Sequence, residues 1–561
     1  MPASSSVRAI PEIPAAVART GWLTPGRARW LLAAIVAVSC GATLLAMRRT
    51  STTFDEIVLI AGGARGYETG RFDLAPEHPP LMQYVYGLPV FLDGALYPAE
   101  AADAVRGDMG YRYRYSRVFF WQSGNDPERT AFLGRLPAVL CVLLLVLATY
   151  GFAAPRIGRA PALLAAGLVA LLPDVLAHGG VAYNDLPLAL TFLLAVWAFD
   201  VTARQPGWRT GAVAGAALAL ALSVKFSAIT LLPVAALLLG CEAILRRRSV
   251  AWWRGAGIAT AAGIAAAYVS LVAVYRGDFM LSEFFYGLDY TFRHVGQGHG
   301  APGYLLGSLS VTGWWYFFPI AFLFKTPAAL HLLGLVAAIG GLRWWLARPR
   351  SAAPALELLG SPLRAAVAGA LVFGGALITS NLVIGFRYAL PLLPLLCILI
   401  AAGTATVWSS ARRTLRALLV ALVVLFGASS LSYYPFFLSY ISEYGPGRDR
   451  GDLVLLDSSL DWGQGLLALR DFMQEESIDR VFLSYFGSAD PRGYGIDYVP
   501  LPSFFALEPQ PTTAAEPLPE WAVISATNLH GIYLQGDPLA RFRAEPDRVL
   551  ANSLFAYRLH D

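Results

Sequence analysis

The sequence predicts a polytopic α-helical membrane protein of about eleven spans, followed by a soluble α/β domain. Three observations lead there. Of 561 residues, 56% are hydrophobic and 14% charged, whereas a soluble domain averages about 25% charged. The apolar residues gather into runs close to the 20 or so needed to cross a bilayer. After about residue 432 these runs give way to short β-rich stretches around one amphipathic segment.

The runs lie near 30–47, 131–152, 161–176, 186–200, 211–224, 226–245, 255–275, 317–341, 364–384, 388–408 and 414–431. Residues 161–200 and 211–245 read as hairpins with very short turns. Arginines recur in every second connection: Arg27 and Arg29, Arg156 and Arg159, Arg204 and Arg209, Arg246 and Arg254, Arg343 and Arg364, Arg412 and Arg413. By the positive-inside rule these connections and the N-terminus are cytoplasmic. The division expected is a cytoplasmic tail over 1–29, a membrane domain over 30–431 with a long outer loop at 48–130, and an extracytoplasmic α/β domain over 432–561. The tail is polar and Pro-rich, and the first apolar run is long enough to span, so no cleavable signal peptide is expected. The setting is a multi-pass protein of the inner (plasma) membrane, in contact with membrane lipids. The net charge of +5 is accounted for by these loops, so no nucleic acid partner is expected.

Cys40, Cys141, Cys241 and Cys397 all lie in or beside apolar runs, so the outer regions carry no disulfide. No Cys/His metal spacing exists, and neither a metal nor another cofactor is expected. In the last part, "LVLLDSSL" (453–460) reads as a strand and "WGQGLLALRDFMQEE" (462–476) as an amphipathic helix. "DRVFLSYFG" (479–487), "EWAVISATNL" (520–529) and "SLFAYRLH" (553–560) read as further strands, with a Pro-rich loop at 500–520.

Ionisable residues in or beside spans are costly and are functional candidates. Here they gather at the outer edge. Asp55 and Glu56 begin the outer loop, and Glu77-His78-Pro79-Pro80 follows them. Asp185 lies in the turn before the fourth span, Lys225 between the fifth and sixth, Lys325 in "FLFKTP", Arg387 in "GFRYALP" and Arg135 in "FLGRLPAVL". Cations and carboxylates under a partly apolar roof suit a lipid-linked phosphate held by Arg135, Lys225, Lys325 and Arg387. Asp55, Glu56 or Asp185 would take a proton from an attacking hydroxyl. Adjacent residues on a helix point about 100° apart, so Asp55 and Glu56 cannot by themselves form a retaining-glycosidase pair; one can act as base while the other orients a neighbour. Glu77 and His78 are candidates for substrate contact. Each residue also has a plain structural role open to it: a solvated helix end for Asp55 and Glu56, a helix cap for Asp185, interfacial anchoring for the cations.

"TTFDEIVLIAGGARGYETGRFDLAPEHPPLMQYVYGLP" resembles the first outer loop of the GT-C glycosyltransferases that include protein O-mannosyltransferases and lipid A aminoarabinose transferases (glycosyltransferase family 39-like). "RLPAVL", "YNDLPLALTFLLAVWAF", "KFSAITLLP" and "RYALPLLPLL" resemble later segments of that family, and "LLDSSLDWGQGLLALRDFM" one common in its bacterial members. The resemblance implies a GT-C-like fold. It implies transfer of a hexose or pentose from a polyprenyl-phosphate sugar donor to an acceptor hydroxyl on the outer face. It places Asp55 as the catalytic carboxylate with Glu56 beside it and Asp185 as a second acid. Lys225 and Arg387 then fall near the donor phosphate. No repeats of the eukaryotic mannosyltransferase kind follow residue 432, which argues against a protein acceptor; among glycan, lipid and protein, the acceptor is otherwise open. The alternative from another class is a lipid-linked sugar flippase or transporter. That would call for inverted repeats and charges near the midplane, neither of which the sequence shows.

Overall fold

The computed structural model describes residues 23–98, 108–247, 249–296, 302–346, 359–508 and 518–559. Residues 1–22 of the expected tail and 509–517 of the Pro-rich loop lie outside the described residues. Each apolar run becomes a helix or a bent pair of helices. Seven helices are long and apolar enough to cross a membrane: α1 (Pro25–Ala46), α5 (Pro127–Ile157), α8 (Asp185–Arg204), α10 (Leu231–Leu245, entered through a 3₁₀ turn from Phe226), α11 (Val250–Val274), α16 (Leu392–Ser410) and α17 (Arg413–Leu431). The number is up to nine if each bent pair is one span. These pairs are α6 with α7 (Arg159–Ala170 and Pro173–Gly179), bent by 60°, and α13 with α14 (Phe317–Lys325 and Ala328–Leu346), bent by 114°. Both breaks stand at a proline, Pro173 and Pro327, which removes a helical N–H and pushes the residue before it into extended backbone. Thr326 shows this, with φ −127° and ψ 144°. The two remaining runs form shorter helices, α9 (Trp208–Val224) and α15 (Arg364–Ile378).

Burial ranks these helices. The apolar window of α8 is 78% buried, against 17% for α1 and for α11, so α8 is the hub and Asp185 begins it. At its far end Asp200 gathers Arg156 (2.9 Å), Arg204 (3.0 Å) and Arg364 (3.1 Å). Arg364 also meets Glu242 at 2.7 Å, which in turn pairs with Arg246 at 2.8 Å. The arginine-rich ends of four helices are thereby tied together, and the charges needed for orientation are paired rather than left bare.

The expected outer loop is largely helical: α2 (Glu56–Thr69), α3 (Pro80–Leu92) and α4 (Met109–Trp121). Helices α2 and α3 cross in backbone contact. A Cβ on Gly63 would lie 2.0 Å from the Gln83 carbonyl oxygen, and one on Gly87 2.1 Å from the Gly63 carbonyl carbon. Only glycine permits that approach. It carries the two ends of the acidic segment, Asp55 and Glu77-His78, to one place. α12 (Ser282–Gly296) and the hairpin of β1 (Gly303–Leu305) and β2 (Ser308–Ser310) fill the 276–316 connection.

The C-terminal region holds a five-stranded sheet of β3 (Val481–Ser484), β4 (Tyr498–Pro500), β5 (Trp521–Ser525), β6 (Arg548–Leu550) and β7 (Leu554–Arg558), in the order β4-β3-β5-β7-β6. β3 runs parallel to β4 and β5, while β7 is antiparallel to β5 and β6. Helix α18 (Leu466–Glu475) packs its apolar side on it. The stretch expected as a strand at 453–460 is not one; it ends one 3₁₀ turn and contains another, at Asp457–Ser459. Asp457 has φ +53°, which breaks an extended run. Ser458 and Ser459 spend their hydroxyls on the backbone of Ile384 (3.1 Å) and Phe386 (3.0 Å), a competing local pattern.

This region is sewn to the start of α2. Phe54 N–H donates to the Trp462 carbonyl at 2.8 Å, and Ser51 N–H to that of Gln464 at 3.2 Å. The Ser51 hydroxyl donates to the Gly463 carbonyl (2.8 Å) and accepts from Leu466 N–H (3.0 Å).

Candidate active site

Between the helix ends and the C-terminal region lies a cavity of about 500 Å³. Of the residues singled out in the sequence, Asp55, Glu77, His78, Lys225 and Arg387 line it. Asp185 stands behind two of them. Its Oδ1 accepts from Lys225 Nζ at 2.5 Å, and its Oδ2 lies 3.6 Å from Arg387 Nη1. Asp55 lies 3.8 Å from the same nitrogen through its Oδ2, while its Oδ1 accepts from the Tyr113 hydroxyl at 2.6 Å. Arg387 therefore sits between two carboxylates. It is packed among the rings of Trp462, Tyr183 and Tyr388, at 4.3, 4.7 and 5.1 Å from their centres.

Arg387 is 3% exposed, yet its Nε and Nη1 have no hydrogen-bond partner among the described residues. Asp185 Oδ2 and Glu77 Oε2 are likewise unsatisfied there. Buried polar atoms are rarely left so, and two of these residues, Arg387 and Glu77, line the cavity, which marks a place for a polar ligand. Lys225 also lies 4.4 Å from the Tyr388 ring centre. Arg112, by contrast, is engaged by Glu77. His78 shares a hydrogen bond of 3.2 Å with the Tyr183 hydroxyl. Burial holds its imidazole below the usual range, although the Glu77 carboxylate pulls the other way, so near neutral pH the ring is uncharged. Burial and the Asp55 carboxylate raise the Tyr113 phenol, which remains a donor to Asp55.

Three candidates are not brought to the cavity. Glu56 turns away from Asp55 and is fully buried. It accepts from Arg135 at 2.6 and 3.0 Å, from Thr53 N–H at 2.5 Å and from Ala182 N–H at 3.1 Å. Arg135 gives its other N–H groups to the carbonyls of Met47 (2.9 Å), Thr50 (3.0 Å) and Ser51 (2.7 Å). Lys325 donates to the carbonyls of Leu438, Tyr440 and Ser459 at 2.7, 3.1 and 2.8 Å. Arg135 and Lys325 have no hydrogen left for a phosphate, and they hold helix ends to the segments beside them.

Several cavity residues escape sequence reasoning: Tyr113, Tyr183, Tyr388, Asp457, Trp462 and Tyr533. Aromatic residues are common throughout a membrane sequence, so their type carries no signal. The "LDSSLDWGQG" motif did carry one, since a polar run with glycines is out of place in a strand.

Residues 128–275 match the family described as dolichyl-phosphate-mannose-protein mannosyltransferase. The matched stretch runs from α5 to the end of α11 and contributes Tyr183, Asp185 and Lys225 to the site; Asp55, His78 and Arg387 fall outside it. No curated protein matches the sequence. Among solved structures, the chain is similar to ArnT from Cupriavidus metallidurans bound to undecaprenyl phosphate, at 13% identity and a TM-score of 0.47 over 96% of this chain and 98% of that one. It is also similar to the Archaeoglobus fulgidus oligosaccharyltransferase in its apo form, at 14% identity and a TM-score of 0.41 over 76% and 60% of the two chains.

Proposed function

We propose that the protein transfers a hexose or pentose from a polyprenyl-phosphate-linked donor to an acceptor hydroxyl, at the extracytoplasmic face of the plasma membrane. One observation carries the reading: buried Arg387, with unsatisfied N–H groups, lines a cavity that has Lys225 and Asp55 on the same walls. A phosphate between Arg387 and Lys225 would fill those donors with charge-assisted hydrogen bonds. The mannosyltransferase-type match supports the same chemistry. The face is supported by the arginine clusters at the opposite helix ends.

In the reaction, Asp55 takes the proton of the acceptor hydroxyl as its oxygen attacks the anomeric carbon. The bond from that carbon to the phosphate oxygen breaks, and the lipid phosphate leaves with the electron pair. Arg387 and Lys225 stabilise the charge that develops on it. Tyr113 fixes the Asp55 carboxylate, and Asp185 holds both cations in place. Residues 30–431 form the membrane domain in this reading, and the region from about 432 closes the site from outside.

The test is transfer by purified Asp55→Asn protein, supplied with a polyprenyl-phosphate hexose and total envelope extract as acceptor source. Turnover should fall roughly 10²–10⁴-fold, with membrane insertion unchanged. Near-normal transfer would remove Asp55 from the mechanism.

A further inference from the structure

The cavity has a second wall, supplied by the C-terminal region, which the reaction above leaves unused. Phe486 and Tyr533 lie stacked, with ring centres 5.4 Å apart and planes 5° from parallel. Phe504 adjoins Tyr533 at 4.8 Å, and Phe54, the neighbour of Asp55, stacks on Phe486 at 5.2 Å. All four rings line the cavity, and Phe504 is 40% exposed, a large apolar surface left open beside the reacting carboxylate. Asp457 belongs to the same wall, where its carboxylate accepts from the Tyr533 hydroxyl. Its backbone is in the left-handed region, at φ +53°, a conformation that concentrates at functional sites.

We propose that this wall is a carbohydrate subsite, and that the acceptor hydroxyl belongs to a sugar ring rather than to a peptide serine or threonine. The inference rests on the glycosyl-transfer reading. A pyranose has a face of C–H bonds and a rim of hydroxyls. Flat ring faces cover the first, and a carboxylate acceptor receives the second. A hydrocarbon tail would set apolar atoms against the Asp457 carboxylate, a costly contact. An extended peptide would call for backbone partners, and neither edge strand of the sheet, β4 or β6, lines the cavity. The donor already has its anchor in Arg387 and Lys225, so the ring beside Phe504 is that of the acceptor.

The experiment is direct binding, without turnover, so it succeeds or fails independently of the Asp55 reaction. Full-length protein in nanodiscs is applied to an array of envelope glycans and to an array of Ser/Thr peptides. Glycans should be retained and peptides not. Phe504→Ala, at an exposed position, should weaken retention roughly tenfold, and Asp457→Asn, which preserves shape, should weaken it as well. Retention of peptides, absence of any glycan signal, or identical glycan binding by Phe504→Ala would overturn the proposal. So would displacement of the glycan by a polyprenyl-phosphate hexose but not by polyprenyl phosphate, which would give the platform to the donor sugar.

Discussion

Two neighbouring carboxylates receive opposite fates. Asp55 precedes the first turn of α2 and faces the cavity, 21% exposed, whereas Glu56 points into the interior and closes on Arg135. Their substitution should therefore separate in kind. Glu56→Gln leaves Arg135 buried without its counter-charge, a loss on the order of 3–5 kcal/mol, and should show as a lower Tm of the detergent-solubilised protein. Arg387→Ala should instead weaken donor binding or transfer by roughly 10²-fold, measured with a polyprenyl-phosphate hexose. A fully active Arg387→Ala protein would detach the cavity from the phosphate. The acids, and their position after the first apolar run, were legible in the sequence, but the direction each faces was not. Direction depends on Arg135 and on the Ala182 amide, residues 79 and 126 positions away from Glu56. The same holds for Lys325, whose three carbonyl partners lie 113 to 134 positions further on.

Apolar runs became helices because hydrophobic length is a local property, whereas the breaks at prolines 173 and 327 fall inside runs expected to be continuous. The stretch at 453–460, expected as a strand from its composition, forms a turn that runs on into Asp461. Asp461 anchors that turn, its Oδ2 accepting from Thr527 N–H at 3.0 Å. Burial pushes its carboxyl up to about 7. The folded state thus favours the protonated form. The stability it contributes is complete below the ordinary carboxylate range near pH 4 and is lost as pH rises through 7, to an extent on the order of 4 kcal/mol. Asp461→Asn removes this titration, so its Tm should gain on that of the parent protein between pH 5 and pH 8. A constant difference between the two proteins would show that the turn does not hold a protonated acid.

At the level of the whole molecule, the proposed extracytoplasmic placement of the C-terminal sheet rests on the arginine-rich opposite helix ends. A single cysteine tests it. Gln474 is exposed on α18, and the native thiols Cys141, Cys241 and Cys397 are buried while Cys40 is half-buried, giving a quiet background. Gln474→Cys should react with a membrane-impermeant maleimide in intact cells. Reaction only after lysis would put the sheet inside and separate it from the proposed face. The stitching of residues 51–54 to 462–466 also orders the birth of the protein. Ser51 must wait for Gly463, 412 residues later, before it has its partner. Closing so distant a contact comes late in folding. A ribosome that has already delivered every apolar helix has still made a cavity with one wall missing. Under the proposed function, the emerging chain holds an open half-site, and the wall that completes it arrives only when the last quarter of the chain has docked.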